Sequence, residues 1–175
     1  MLFRSASDLP AQAEGLPEEL LAVLQRRGLV DPAALTTLLQ PPPPPPPDAH
    51  FADLRRACTR LEQACRAGER LAICGDYDAD GMTSTALLLG VLRRLGANPE
   101  PAIPSRMEDG YGLNRAMVER LAASGIRLLI TVDNGVAATE ALERAAALNL
   151  EVILTDHHSL PPQLPPHLVI GRAHV

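Results

Sequence analysis

The sequence predicts an α/β fold in which helices cover both faces of a parallel sheet, preceded by a short helical N-terminal segment. From about residue 70 onward, short apolar segments alternate with helical patterns, which is typical of parallel strands joined by right-handed crossovers. Before that point the pattern is helical only, and seven consecutive prolines at residues 41–47 interrupt it. Since 46% of the 175 residues are hydrophobic, the chain can bury a substantial core.

The N-terminal segment predicts two helices after a loose arm over residues 1–15. Residues 17–27 place leucines on one helical face and end at a glycine. Asp31 and Pro32 combine a capping side chain with a proline at the first helical position, and so predict a helix to about residue 39.

The proline run excludes a regular helix and a central strand, because proline lacks the backbone N–H that both need. A polyproline II spacer is the predicted conformation, and a ligand for a proline-binding domain is the alternative function. The resulting domain prediction is an N-terminal helical arm over residues 1–40, a polyproline linker over 41–48 and an α/β domain over 49–175.

The α/β domain is predicted to begin with a helix and then to alternate strands with helices. Residues 82–95 are apolar nearly all round and predict a buried helix, while Asn114 is the predicted N-cap of a later one. The predicted strands cover residues 70–75, 100–104, 127–132 and 151–155, with residues 167–170 as a candidate fifth. The predicted helices cover residues 50–66, 82–95, 114–123 and 137–148.

Charge and composition narrow the function classes. The chain has 16 Arg and Lys against 21 Asp and Glu, a net charge of −5, which argues against a simple basic nucleic-acid-binding module. An enzyme that meets phosphates through metal ions stays compatible with this charge. No apolar run is long enough to span a bilayer, and the N-terminus lacks the apolar region of a signal peptide. Three cysteines match neither a disulfide framework nor a zinc pattern, so the prediction is a cytoplasmic, reducing setting without a membrane.

Carboxylates follow three of the predicted strands at the point where each strand ends. Asp76, Asp133 and Asp156 hold these positions. Because the carboxyl ends of parallel strands share one edge, where open α/β folds bind ligands, we expect their side chains to converge. Neighbouring acids and histidines enlarge the group to Asp76, Asp78, Asp80, Asp133, Asp156, His157 and His158.

This crowding of five carboxylates is unfavourable unless cations occupy the site. The mixed oxygen and nitrogen donors suit Mn²⁺ or Mg²⁺, with Zn²⁺ as an alternative. Taken singly, each residue has a simpler interpretation, since a strand-end aspartate often caps the next helix, Asp133 precedes the turn-forming pair Asn134 and Gly135, and most histidines lie on the surface. The coincidence of three strand ends at one edge is what favours a metal site.

Asp76, Asp78 and Asp80 also imitate the start of an EF-hand calcium loop. That loop requires a bidentate Glu at its last position, about 12 residues from its start, and a helix in front. Here Leu87 stands at that position and an apolar strand precedes the acids. The sequence therefore excludes an EF-hand.

A glycine-rich loop lies between the second and third predicted strands. Gly110 and Gly112 flank Tyr111 just before the Asn114 cap. A loop at a helix N-terminus can approach an anion, and an arginine such as Arg106 can pair with a phosphate. The candidate substrate-binding residues are therefore Arg106, Gly110 and Tyr111, with a plain turn as the alternative.

Four motifs follow one another between residues 50 and 160. They are Gly-Asp-Tyr-Asp-Ala-Asp-Gly at 75–81, Arg106 followed by Gly-Tyr-Gly-Leu-Asn at 110–114, Val-Asp-Asn-Gly at 132–135, and Asp-His-His at 156–158. In combination they resemble the DHH phosphoesterase superfamily and, within it, the RecJ family of bacterial exonucleases specific for single-stranded DNA. The resemblance implies a parallel α/β DHH domain, two divalent cations (Mn²⁺ or Mg²⁺), and 5′-to-3′ degradation of single-stranded DNA in DNA repair and DNA recombination.

The resemblance also implies roles for the converging residues. The implied metal ligands are Asp78, Asp80, Asp133 and His157. Asp133 would bridge the two ions, and Asp76 and Asp156 would be further ligands or would orient the others. His158 and Asp133 are the implied catalytic residues, with His158 placed to contact the scissile phosphate or the leaving oxygen.

Members of that family continue well beyond this segment, with a further metal-binding Asp, a DHHA1-type domain and an OB-fold. The 175-residue chain is therefore expected to be an N-terminal portion of such an enzyme. The alternatives are another DHH phosphoesterase, acting on oligonucleotides, cyclic dinucleotides or pyrophosphate, and a catalytically silent DHH scaffold.

Overall fold

The computed structural model describes residues 15–29, 31–44, 46–105, 107, 110–159 and 168–171. The chain divides into two compact units, Met1–Pro45 and Pro46–Val175. None of the helices within the described ranges combines the length and the apolar character that crossing a membrane requires. The predicted domain boundaries stay a prediction.

The first unit contains two short helices, α1 (Glu18–Arg26) and α2 (Pro32–Leu39). They pack on each other through Leu24 and Leu35, which are both buried. Asp31 caps α2 by accepting a hydrogen bond of 3.0 Å from the N–H of the third helical residue. Both helices therefore form where the sequence predicts them, whereas the predicted arm lies outside the described residues apart from Gly15.

The second unit is built around a five-stranded sheet with the strand order β2-β1-β3-β4-β5, and every neighbouring pair is parallel. Its elements are α3 (Pro47–His50), α4 (Leu54–Ala67), β1 (Arg70–Cys74), α5 (Ala79–Arg94), β2 (Asn98–Ala102), α6 (Arg115–Ala123), β3 (Leu128–Val132), α7 (Thr139–Ala147), β4 (Glu151–Thr155) and β5 (Leu168–Gly171). The predicted α/β fold with a parallel sheet is thus confirmed.

Two apolar clusters cover the two faces of the sheet. Alternate residues of β3 belong to different clusters: Leu129 packs with α6 and α7, whereas Leu128 and Ile130 pack on the α4 and α5 side. All five residues of β3 are buried, as expected for a central strand between two layers of helices. The sheet therefore has helices on both faces, and its carboxyl edge is left to the loops.

The proline run contradicts one prediction at its last residue. Pro47 is the first residue of α3, although the run was expected to exclude any helix. Proline is tolerated there because the first helical N–H has no intrahelical partner and the fixed φ of proline suits a helix start. The helix predicted from residue 50 also begins later than expected, since α4 starts at Leu54.

Strand β2 lies two residues earlier than predicted and contains Pro99 and Pro101. A central strand would not accept them, because each proline removes a ladder hydrogen bond. β2 is the edge strand of the described sheet and pairs with β1 alone. The missing N–H groups are therefore tolerated.

Helix α5 corrects the prediction of a buried helix over residues 82–95. It begins three residues earlier, at Ala79, and its buried residues are Gly81, Thr85 and Leu92. Met82 and Leu87 are instead 54% and 67% exposed. An apolar composition on every side does not determine which side is covered, and here the sheet covers one side of α5.

Arg60 connects α4 to the amino edge of the sheet. Its two terminal nitrogens donate hydrogen bonds of 2.8 Å to Glu69, and its Nε–H is shared between the two carboxylate oxygens of Glu151, each 3.0 Å away. The hydrogen bonds from Arg60 lower the pKa of Glu69, although its partial burial acts in the opposite direction. This fork-shaped pairing holds α4 against the strands β1 and β4 that begin beside it.

Replacing Glu69 with Gln is expected to lower the free energy of unfolding by about 1 kcal/mol at neutral pH, the upper end of the range for ion pairs near a surface. A lowered carboxyl pKa stabilises the fold above the unfolded-state pKa, and this stabilisation is lost as the pH falls through the folded-state pKa. The difference between wild type and variant should therefore shrink toward zero in acid. Urea unfolding between neutral and acidic pH measures it.

Glu62→Gln is the matched control. Glu62 pairs with Arg66 at 3.1 Å, but both side chains are mostly exposed, so water screens the pair. We expect at most about 0.5 kcal/mol from this change. Equal effects of the two substitutions would contradict a special role for the Arg60 pairing.

Candidate metal centre at the strand edge

The three strand-end aspartates occupy adjacent positions because β1, β3 and β4 are neighbours in the sheet. Asp76 follows β1, Asp133 follows β3 and Asp156 follows β4. All three are buried, with exposures of 0%, 9% and 7%. The topology thus brings together the three acids whose convergence the sequence predicts, with Asp133 in the middle.

Asp133 has an unusual backbone conformation. Its φ of +62° lies in the left-handed region, which non-glycine residues seldom adopt. His157 Nε2 lies 2.7 Å from Asp133 Oδ1. Burial raises the pKa of the Asp133 carboxyl, and repulsion by Asp78 adds to this, while His157 partly offsets both. A buried carboxylate with an acidic neighbour is a favourable place for a cation.

A compact group of ligand atoms surrounds this carboxylate. Asp133, His157 and His158 each offer one ligand atom, and these atoms lie within 4.8 Å of one another. Asp78 and Asp80, the other two implied ligands, are not in this group. One carboxylate and two imidazoles match the donor set that Mn²⁺ or Zn²⁺ accepts in proteins.

Asp156 holds His158 rather than pointing toward open space. Asp156 Oδ1 accepts a 3.0 Å hydrogen bond from the His158 N–H and lies 2.7 Å from His158 Nδ1, while Oδ2 accepts a 2.9 Å hydrogen bond from the Val136 N–H. Burial alone would raise the pKa of Asp156, but these hydrogen bonds together lower it. The geometry fits the orienting role, one of the two roles predicted for Asp156.

His158 presents its other nitrogen to Tyr111. The Tyr111 hydroxyl lies 3.3 Å from His158 Nε2 and donates a 3.2 Å hydrogen bond to the Asp133 carbonyl. The hydrogen bond with Asp156 raises the pKa of His158. Desolvation, together with the nearby aspartates, raises the pKa of Tyr111 to about 12, so its hydroxyl stays protonated and able to donate.

Asp76 is fully buried, and neither of its carboxylate oxygens has a hydrogen-bond partner among the described residues. Burying an unpartnered carboxylate is costly unless a proton or a cation compensates it. The first turn of α5 packs directly on this residue, since Gly81 approaches the Asp76 backbone more closely than any side chain would allow. This orphaned carboxylate fits a site built to receive a positive charge.

Asp78 and Asp80 lie at the start of α5. Asp78 caps the helix by accepting a 3.0 Å hydrogen bond from the Gly81 N–H. Asp80 lines a cavity of about 560 Å³ together with Asp133 and His157. The cavity also has an apolar wall that includes Phe51 and Leu54. Asp80 therefore borders this opening from the side of α5, while Asp78 lies at the helix cap two residues before it.

Of the three candidate substrate-binding residues, the structure describes Gly110 and Tyr111. Arg106 lies outside the described residues. Gly110 has a φ of +79°, consistent with a turn. Tyr111 is half exposed, and its ring meets those of Tyr77 and His158 edge-on at centroid distances of 6.2 and 6.0 Å. Tyr111 is thus the one of the three whose described contacts reach the candidate metal centre.

Sequence reasoning missed Asn134, which it interpreted as part of a turn. The side chain is buried and makes three hydrogen bonds of 2.9 Å: its amide nitrogen donates to the carbonyls of Cys74 and Val132, and its oxygen accepts from the Leu113 N–H. An Asn-Gly pair after a strand is also the ordinary signature of a turn, so no signal in the sequence distinguishes the two roles.

Comparison with known proteins agrees with this geometry. The sequence model described as "DHH family, N-terminal domain" matches residues 70–171. The chain is 42% identical over 124 residues to the single-stranded-DNA-specific exonuclease RecJ of Bacillus subtilis and 38% identical over 160 residues to that of Escherichia coli. These alignments cover 67% and 91% of this chain, but the chain spans 16% and 27% of the length of those two relatives.

Solved RecJ structures are also similar to this chain in fold. A crystal structure of an exonuclease RecJ bound to manganese superposes with a TM-score of 0.64 at 42% identity, covering 69% of this chain and 31% of that one. RecJ of Thermus thermophilus in complex with Mn²⁺ has a TM-score of 0.63 at 32% identity, covering 93% of this chain and 24% of that one. With its parallel sheet, its strand-end acids and a family match over more than half of its residues, the chain belongs to the DHH family.

Proposed function

We propose that this chain is the N-terminal part of a divalent-metal-dependent exonuclease that digests single-stranded DNA from the 5′ end, in DNA repair and recombination. The observation that carries the proposal is the group formed by Asp133, His157 and His158 at the carboxyl edge of the sheet. The relatives that share this segment are named as exonucleases specific for single-stranded DNA. A DNA substrate is also consistent with the predicted cytoplasmic location.

The residues fit divalent cations, and Mn²⁺ is the ion named for the two superposed RecJ structures. Asp133 and His157 would hold the metal, with Asp78 and Asp80, at the start of α5, as the further proposed ligands. Asp76 supports a cation because its buried carboxylate has no hydrogen-bond partner among the described residues. When bound, such ions would supply an activated water and stabilise the oxygens of the scissile phosphate.

The protein groups contribute orientation and a proton. Asp156 fixes the ring of His158 through Nδ1, which leaves Nε2 directed toward the open edge beside Tyr111. A raised pKa keeps more of His158 protonated near neutral pH, and a protonated imidazole donates from Nε2. We assign His158 to hydrogen bonding with a phosphate oxygen or the leaving oxygen.

The test uses a longer polypeptide that carries this segment together with the regions that its relatives have beyond it. We expect Mn²⁺-dependent release of nucleotides from 5′-labelled single-stranded DNA, with much slower release from blunt duplex DNA. His158→Ala should slow the reaction without preventing Mn²⁺ binding. Hydrolysis of cyclic dinucleotides or pyrophosphate, with single-stranded DNA left intact, would overturn the proposal in favour of another DHH phosphoesterase.

The 175-residue chain by itself is expected to digest single-stranded DNA at least about 100-fold more slowly than the longer polypeptide. The chain spans only 16–27% of two of its relatives, and catalysis depends on holding the phosphate in register with the site. Parallel assays of both polypeptides at equal concentration in Mn²⁺ measure the difference. Equal rates would mean that this segment alone grips the substrate.

A further inference from the structure

Asn134 occupies a junction between three separate parts of the DHH domain. Its amide nitrogen donates to the carbonyl of Cys74, the last residue of β1, and to the carbonyl of Val132, the last residue of β3. Its amide oxygen accepts from the N–H of Leu113, in the loop before α6. All three distances are 2.9 Å and the residue is 1% exposed, so water cannot replace these partners.

The bond to Val132 spans the backbone of Asp133, which stands between the two bonded residues. Asp133 is held at a φ of +62°, a conformation that costs free energy and persists only where its surroundings enforce it. The Asn134 amide is part of that enforcement, because it fixes the carbonyl that immediately precedes Asp133. Asn134 thus holds the backbone beside Asp133, whose carboxylate lies 2.7 Å from His157.

The bond to Leu113 acts on the other side of the site. Gly112 packs against the Asn134 side chain so closely that a Cβ there would lie 3.1 Å from the Asn134 Cβ and 3.2 Å from its Oδ1. Tyr111 comes directly before Gly112, and its hydroxyl bonds the Asp133 carbonyl and faces His158. Asn134 thus contacts the two residues that follow Tyr111.

We propose that Asn134 is a positioning residue for the reaction, which orients Asp133 for the metal and docks the segment 111–113 over His158. The proposal rests on the proposed function for its role in the reaction, but its effects on metal binding and on the loop are independent of any nuclease activity. A carboxylate at this position could not donate to two carbonyls, and an aliphatic side chain would remove all three of these buried hydrogen bonds.

The first experiment titrates the 175-residue chain with MnCl₂ by calorimetry. Asn134→Ala is expected to weaken Mn²⁺ binding about 10–100-fold, the usual effect of losing a partner that orients a metal ligand. Glu69→Gln is the matched control, since it destabilises the fold from the opposite edge of the sheet and should leave the Mn²⁺ affinity within about twofold. Wild-type affinity in a folded Asn134→Ala chain, checked by circular dichroism, would overturn the proposal.

The second experiment measures how accessible the loop at residues 111–113 is to solvent, through tyrosine fluorescence. Tyr77 and Tyr111 are the two tyrosines of a chain without tryptophan, and they flank the site, so intrinsic fluorescence reports on this segment. Gly112→Ala should push the loop away from Asn134, because the added Cβ would crowd the Asn134 side chain and because the φ of +63° disfavours Ala. The hydrogen bonds from Asn134 to Cys74 and Val132 should stay in place. We expect stronger quenching by acrylamide with an Mn²⁺ affinity close to that of wild type.

Gly112→Ala also tests the docking of the loop if the Asn134→Ala chain does not fold. Unchanged quenching in Gly112→Ala would contradict the docking of Tyr111 through Asn134. In an active longer polypeptide, Asn134→Ala should lower kcat by a larger factor than it raises the KM for DNA, because the main proposed loss is the orientation of Asp133. A change confined to KM would count against a positioning role.

Discussion

Replacing Asp133 with Asn should lower the nuclease rate of a longer polypeptide by at least about 100-fold and raise the stability of the metal-free chain at neutral pH. The two effects have one cause. The carboxylate lies 2.7 Å from His157 and belongs to a group of three described residues, with His157 and His158, whose ligand atoms lie within 4.8 Å of one another. Without a cation, the negative charge of this carboxylate lowers the stability of the folded state.

The sign of the stability effect follows from the pKa of Asp133. Burial, and then repulsion by Asp78, raise that pKa, which means that the ionised carboxylate destabilises the folded state. The cost is present above the folded-state pKa and is absent below the unfolded-state pKa. Removing the charge should therefore stabilise the metal-free chain at pH 7 and have little effect in acid, while saturating Mn²⁺ should stabilise the wild type alone.

Asn is the informative substitution because of the backbone. At a φ of +62°, Asn is tolerated about as well as Asp, whereas Ala adds roughly 1 kcal/mol or more of conformational strain. Thermal unfolding in a chelator, at neutral and acidic pH, gives the measurement, and Asp133→Gly serves as a control that accepts the same φ. A clear loss of metal-free stability in Asp133→Asn would identify the carboxylate as structural and remove the metal-ligand assignment.

The convergence of the acids could be predicted because it depends on topology alone. Parallel strands end at one edge, so Asp76, Asp133 and Asp156 had to meet once their strands were recognised. Which of these aspartates is a candidate metal ligand and which one orients a histidine could not be predicted. Asp133 and Asp156 both directly follow a strand, so their sequence positions are equivalent. Only the structure shows that Asp156 is hydrogen-bonded to Val136 and His158, which gives it an orienting role.

The same limit applies to packing. The apolar character of α5 indicates a helix, but which of its sides meets the sheet depends on the neighbouring elements, so the exposure of Leu87 could not be foreseen. Asn134 is hidden for a related reason, since its partner Leu113 is 21 residues away and a turn explains the local sequence equally well. Contacts between distant segments carry the information that periodicity and motifs lack.

Close packing also makes Gly81 and Gly90, both in α5, respond to the same substitution with opposite signs. A Cβ on Gly81 would lie 2.5 Å from the backbone nitrogen of Asp76 and 2.7 Å from its carbonyl oxygen, and neither atom can rotate away. A Cβ on Gly90 would meet nothing within 4 Å. Helix propensity alone favours Ala at both positions by about 1 kcal/mol.

Gly81→Ala should therefore destabilise the chain by about 1–3 kcal/mol net, because forcing extra volume against backbone outweighs the gain in propensity. Gly90→Ala should stabilise it by up to about 1 kcal/mol. Urea unfolding of both variants measures the difference. Since the displaced turn carries Asp78 and Asp80, Gly81→Ala should also weaken Mn²⁺ binding, whereas Gly90→Ala should not. Stabilisation by both substitutions would show that the first turn of α5 can move away from the Asp76 backbone at little cost in free energy.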